Sequence, residues 1–335
     1  MPPEPGSAAD APTMRSVEAR RRFRVDGPFL VKVAALVILI GVFALLSDRF
    51  LTAANLTNIL RQISPVVIVG APVTMLMVAR GFDLSVGGVL AFSGIVGVYF
   101  STEVPLPAAF LAAILAGTTF GVLNGFLVVK VGVNAVIATL GTLYVARGAG
   151  LLLTGGVTVE RIGPGYNFIG AGFIQGIPTP IWVMAGALLV FILLEKRTLL
   201  GKYSVAVGSN PDASFLSGVP GNAVRIILFT VCGMMAGLAG LLVSSRLSAG
   251  VPTIGVGFEF EVIVATILGG TTLAGGQGTI AGMFVGALIL GVLNNGLNIL
   301  GVQAFWQVVT QGVVLVLAVA LDSQLRRVRL RARHR

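Results

Sequence analysis

Residues 29–46 read FLVKVAALVILIGVFALL, an apolar run from Phe29 to Leu46 interrupted by one charge, Lys32. A run of that length suits a tilted helix crossing ~30 Å of hydrocarbon and is too long for a strand. Nine further apolar stretches follow, at about 64–79, 86–100, 108–129, 135–153, 179–194, 223–245, 259–270, 279–300 and 305–321. The sequence therefore predicts an all-α integral membrane protein of about ten transmembrane helices. Several stretches fall short of the ~20 residues that a perpendicular span needs, so a few spans are expected to be broken or lengthened by more polar flanks.

Composition leads to the same solvent. Of 335 residues, 56% are hydrophobic and 11% charged. Apolar residues and the 45 glycines together reach about 70%, against a usual 45–50%. A globule with so few charges could not cover its surface with polar groups, and a mean hydropathy of +0.96 assigns much of that surface to lipid. A water-soluble enzyme is excluded.

The net charge of +10 is parked at the ends. Arg15, Arg20, Arg21, Arg22, Arg24 and Lys32 lie before or at the edge of the first span, and six arginines from Arg326 to Arg335 follow the last. Such clusters read as flanks beside anionic lipid headgroups, and no aromatic-interleaved module for nucleic acid accompanies them. The organisation expected is a disordered basic tail over 1–28, a membrane domain over 29–322 with a long loop at 195–225, and a second basic tail over 323–335. With loops placed alternately, 18 basic residues fall on one side and five on the other. That asymmetry predicts an even number of spans, both termini in the cytoplasm and the 195–225 loop beside them.

Chemistry-bearing residues are scarce. Cys232 is the single cysteine and lies inside an apolar segment, so it reads as a small buried hydrophobe, with no disulfide framework and no multi-cysteine metal site. His334, the single histidine, sits in the terminal tail, which removes a His-based general base or metal centre from the membrane. No Gly-x-x-x-x-Gly-Lys-Ser/Thr loop occurs, so nucleotide energy has to come from another subunit. Asp83, Glu259 and Glu261 fall at span ends, which disfavours a proton- or sodium-coupled carrier.

Packing is legible in glycine spacing. Gly117, Gly121 and Gly125 recur every fourth residue, as do Gly278, Gly282 and Gly286, with Gly233 and Gly237 as a shorter set. Each set leaves a helix face without side chains, which admits a neighbouring backbone. The segment Gly81-Phe82-Asp83-Leu84-Ser85-Val86 is echoed 176 positions later by Gly257-Phe258-Glu259-Phe260-Glu261-Val262. The two copies fall on opposite sides of the expected topology, as an inverted repeat would place them.

Three loops carry the functional information. In the first, Asp83 and Ser85, followed by Gly87, are placed to cap the third span. In the second, Asn210 or Pro211 opens a short helix, Asp212 and Ala213 occupy its first turn, and Gly218 closes it; Phe215 and Leu216 face outward, which suits a protein partner. The third, Leu268 to Gly282, is a glycine-rich approach to the ninth span. Inside the spans, Asn124, Asn134, Thr139, Asn294, Asn295, Asn298 and Gln307 are neutral hydrogen-bonding groups suited to a path for a neutral polyol.

The chain resembles the membrane permease subunit of bacterial ABC-type sugar importers, the ribose/xylose/galactose group, over roughly residues 30–322. The resemblance is carried by Gly81-Phe82-Asp83-Leu84-Ser85-Val86-Gly87; by Ile137-Ala138-Thr139-Leu140-Gly141-Thr142; by Gly208-Ser209-Asn210-Pro211-Asp212-Ala213; by Gly269-Gly270-Thr271-Thr272-Leu273-Ala274-Gly275-Gly276; and by Gly291-Val292-Leu293-Asn294-Asn295-Gly296-Leu297-Asn298. It departs at Phe82, where the sugar branch commonly has isoleucine. What the resemblance implies is an inner-membrane permease with a fold like that of the cobalamin importers, paired with a second permease subunit as homodimer or heterodimer. It implies two ATPase subunits docked on the helix from Asn210 to Gly218, a periplasmic sugar-binding protein, and no cofactor. Sister importers for nucleosides, branched-chain amino acids or an autoinducer-type sugar derivative remain alternatives.

Overall fold

A computed structural model describes residues 27–320, except 161, 304, 315 and 318. Of the expected basic tails, only Gly27 and Pro28 lie within the described residues, and they open a helix. In chain order the helices are α1 (Gly27–Leu46), α2 (Ala53–Val78), α3 (Val86–Phe100), α4 (Leu106–Phe126), α5 (Ala135–Thr154) and α6 (Phe168–Ala171). A minimal hairpin, β1 (Phe173–Ile174) and β2 (Ile177–Pro178), leads into α7 (Thr179–Arg197), α8 (Leu199–Ser209), α9 (Pro211–Leu216), α10 (Gly221–Leu247), α11 (Phe258–Leu268) and α12 (Ile280–Ile299). Most of residues 305–320 are helical as well.

Seven helices among the described residues are long and apolar enough to cross a membrane: α1, α2, α4, α5, α7, α10 and α12. The expected ten spans thus resolve into seven long helices, two short ones and the stretch after 305. The short ones, α3 with 15 residues and α11 with 11, reach only about 22 and 16 Å at 1.5 Å per residue. Each is preceded by non-helical chain, 79–85 and 248–257, which a membrane tolerates only where protein surrounds it.

The second helix begins earlier than hydropathy indicated. Thr52 caps it by accepting from the Asn55 amide nitrogen at 3.3 Å, and Asn55 exchanges reciprocal 2.9 Å hydrogen bonds with Asn295 of α12. These pairings satisfy Asn55, one of the polar side chains that lowered the apparent hydropathy of the segment. Pro65 and Pro72 sit inside the same helix without ending it.

The faces of Gly117, Gly121 and Gly125 and of Gly233 and Gly237 lie where their spacing placed them, while Gly278 precedes α12 and lies against the Thr271 side chain, leaving Gly282 and Gly286 on the helix. Gly117 and Gly121 of α4 lie against Gly233, and Gly117 also against Gly237, so α4 and α10 approach backbone to backbone. Gly286 of α12 rests on Ala265 of α11, and Gly282 on Gly269 just after it. A side chain at any of these positions would collide with main chain, so dispersion between bare faces holds the helices together. Cys232 is fully buried on α10.

The bundle has two ends. At one, α8 and α9 form a connector beside the end of α2 and the starts of α10 and α12; the beginning of α1 belongs here too, since Lys32 Nζ donates to the Gly269 carbonyl at 2.6 Å. At the far end, Phe43, Phe50, Ile59 and Val292 cluster, and the bridge between Val159 and Gly250 closes the loops.

Candidate functional site

The segment 79–85 joins the connector end to the start of α3. Arg80 is in a left-handed conformation, φ 61°, which an L-residue adopts only when held. Its Nε donates to Gly208 O at 2.7 Å and its Nη2 to Ser209 O at 3.4 Å, the final carbonyls of α8. Arg225 Nε donates to Ala79 O at 3.2 Å, and the Gly276 amide to Val78 O at 2.8 Å. One joint therefore ties together α2, α8, α10 and the glycine-rich 269–279 loop. Cationic donors at helix carbonyl ends also complement the negative end of the dipole.

From that joint the chain turns inward. Asp83 is 1% exposed, and its Oδ1 accepts from the Ser85 amide at 2.9 Å and the Ser85 hydroxyl at 2.6 Å. Ser85 is the residue before α3, yet its side chain caps nothing, so the expected pair of caps is replaced by a turn internal to Asp83–Ser85. Asn124 of α4 donates to Ser85 Oγ at 2.8 Å and accepts from Thr142 Oγ1 at 2.6 Å. Thr139 Oγ1 accepts from the Leu84 amide at 3.0 Å and donates to Ala135 O at 2.8 Å. Asp83, Ser85, Asn124, Thr139 and Thr142 thus form one buried network joining the 79–85 segment to α4 and α5, and Gly87 follows it in the first turn of α3.

The other candidates are dispersed. Asn134 is exposed and caps α5, accepting from Val136 and Ile137. Asn295 is held by Asn55, while Gln307 Nε2 donates to Asn298 Oδ1 at 3.2 Å. Asn294 buries its Oδ1 without a partner among the described residues. Sequence spacing could not separate side chains that bind neighbouring helices from those facing open space.

The short helix expected at Asn210 is present as α9. Asn210 Oδ1 accepts from the Ala213 amide at 3.0 Å, Pro211 and Asp212 occupy the first turn, and Ser214 is buried against the connector. Gly218, φ 76°, supplies the left-handed turn that ends the segment. Phe215 and Leu216 are 80% and 85% exposed, an apolar pair held out by local capping.

One feature escaped sequence reading. The starts of α3 and α11 meet: Gly87 stands against Glu259 and the Gly255 carbonyl. Beside that junction is a cavity of about 360 Å³ whose polar lining is Gln62, Arg246, Glu261 and Gln311. These four lie on separate segments, so no spacing rule joins them.

The profile of the family described as the branched-chain amino acid transport system permease component matches residues 55–319. The chain belongs to this permease family. Among relatives of this permease, the ribose import permease protein of Escherichia coli K12 is 40% identical over 318 residues, covering 93% of this chain and 99% of that protein. The Bacillus subtilis ribose import permease is 38% identical over 302 residues, 89% of this chain and 92% of the relative. The D-allose transport system permease protein of Escherichia coli K12 is 38% identical over 291 residues, 86% and 89% of the two chains. No solved structure matches the permease. It is a multi-pass membrane protein and a permease subunit, not the subunit that hydrolyses ATP.

Proposed function

We propose that this permease carries a monosaccharide of the ribose, xylose or galactose kind into a bacterium through the inner membrane. It does so as half of a permease pair driven by a separate ABC ATPase and fed by a periplasmic sugar-binding protein. The observation that carries the reading is the 40% identity to a ribose import permease along 93% of the chain. In this reading the connector end faces the cytoplasm, in accord with the basic bias of that side, and ten segments cross the bilayer, α3 and α11 as half-helices of an inverted repeat. Such an arrangement is of the kind seen in cobalamin-importer permeases.

The energetic input enters at α9. Asn210, Pro211, Asp212, Ala213, Phe215, Leu216 and Gly218 present the ATPase with an apolar pair on a capped, preset helix. Movement of α9 pulls on Gly208 and Ser209, hence on Arg80, and so on the 79–85 segment and α3. The coupling is rigid-body and shifts the bundle between two packings. Asp83, Ser85, Asn124 and Thr139 act as the hinge seal. Of the remaining pathway candidates, Asn294 keeps a buried carbonyl oxygen without a partner among the described residues, while Asn134, Asn295, Asn298 and Gln307 are engaged in a helix cap and in hydrogen bonds within the bundle.

Uptake measured against a panel tests the substrate class. Cells lacking their own pentose permeases and expressing the whole importer should accumulate D-ribose, D-allose or L-arabinose, and unlabelled sugar should compete. Competition by leucine or a nucleoside in place of sugar would reassign the importer to a sister class.

A further inference from the structure

The cavity beside the α3–α11 junction combines features that no other part of the described protein shares. Gln62 projects from α2, Arg246 from the last turn of α10, Glu261 from the first turn of α11, and Gln311 from the final helical stretch. None of the four side chains makes a hydrogen bond or ion pair to another described residue, and Phe258 adds an aromatic wall. The amides at Asn55, Asn124 and Asn295 are matched within the protein, whereas Asn294 also leaves its Oδ1 without a partner among the described residues. Gln62, Arg246, Glu261 and Gln311 are all half-buried, so their unmatched donors and acceptors face a shared space that can admit a polar guest.

We propose that Gln62, Arg246, Glu261 and Gln311 form the solute site of this permease, taking one neutral polyhydroxyl ring. The inference rests on the reading of the chain as a sugar permease and adds where the sugar sits. One guanidinium and one carboxylate cancel, so the lining favours a neutral guest over an ion. Two amides and two charged ends offer donors and acceptors to ring hydroxyls, and Phe258 can cover an apolar ring face. A volume of about 360 Å³ is at the small end of ligand sites, as a single sugar requires. The half-helix start of α11 lies at the site, so a change in the α3–α11 junction alters the cavity directly.

The test uses the complete importer in lipid nanodiscs, with Leu247→Cys on the cavity wall as a reporter for maleimide labelling. Millimolar D-ribose should slow labelling by about fivefold or more, and leucine should not. Glu261→Gln and Gln62→Ala should lower D-ribose uptake about tenfold in complexes that assemble normally by size exclusion. Unprotected labelling overturns the proposal, as does protection by leucine instead. Oxidative cross-linking of Leu247→Cys to its own copy also overturns it, since the cavity is then filled by the second permease. Where a substituted complex does not assemble, protection of the reporter decides alone. If the unsubstituted importer takes up none of D-ribose, D-allose and L-arabinose, the functional reading fails; if it does and the reporter stays unprotected, only the site fails.

Discussion

Gly87 of α3 leaves room for the carboxylate of Glu259 on α11, and a Cβ at Gly87 would lie 2.6 Å from the Gly255 carbonyl oxygen. Two short helices begin face to face because this position carries no side chain. Gly87→Val should therefore destabilise the solubilised permease by roughly 1–3 kcal/mol, the usual cost of overpacking. Gly148→Ala, where an added Cβ meets nothing within 4 Å, should not lower stability. Thermal midpoints in one detergent compare them directly; equal midpoints would separate the α3–α11 junction from stability.

The Asn124 network should behave as a unit. Asn124→Leu leaves Ser85 and Thr142 without their shared partner and should cost roughly 1–3 kcal/mol. Thr142→Val added to it should then cost little more, giving a coupling energy above ~0.5 kcal/mol in a double-mutant cycle. Additive losses would mean that the two groups do not share the bond of 2.6 Å.

Much of this was readable in advance, for local reasons. Helix α9 follows from Asn210, Pro211 and Gly218, whose capping preferences act within a few residues. The bare faces of Gly117, Gly121 and Gly233 follow from helical period alone. What escaped was tertiary. Whether Thr139 faces a path or the Leu84 amide depends on the course of the 79–85 segment, which hydropathy does not encode. The early start of α2 was hidden because Asn55 reads as polar until its partner Asn295 is known. The cavity lining draws on four segments that meet only in the fold.

Tyr166 gives a pH signature. It is fully buried outside the spans, with its hydroxyl 2.7 Å from Ser244 Oγ. Burial pushes the phenol up to about 12, outweighing the opposing Ser244 hydrogen bond. The unfolded chain loses this proton near 10, so the folded state holds it longer. Stability from this group is intact below about pH 10 and falls by about 1.4 kcal/mol per unit until pH reaches about 12. Denaturation at about pH 9 and pH 11 should show the loss, and Tyr166→Phe should abolish that part of it. An unchanged slope in the variant would place the titration elsewhere.

Arg80 should govern how efficiently ATP use becomes movement. Arg80→Gln removes the charge-assisted bonds to Gly208 and Ser209 and relaxes the joint between the connector and the segment leading into α3. The number of solutes carried per ATP hydrolysed should fall about tenfold, matching the loss of ~1.4 kcal/mol or more expected for such bonds. A retained ratio would show that α9 communicates by another route.

As a permease subunit, this chain gates the membrane without a power source of its own. Reconstitution in liposomes, with binding protein and D-ribose supplied on the face opposite the connector, measures it directly. Accumulation against a gradient should require both ATP and the ATPase subunit on the connector side, and should vanish when either is omitted. Sustained accumulation by the permease alone, driven by an ion gradient, would show that the chain supplies its own driving force.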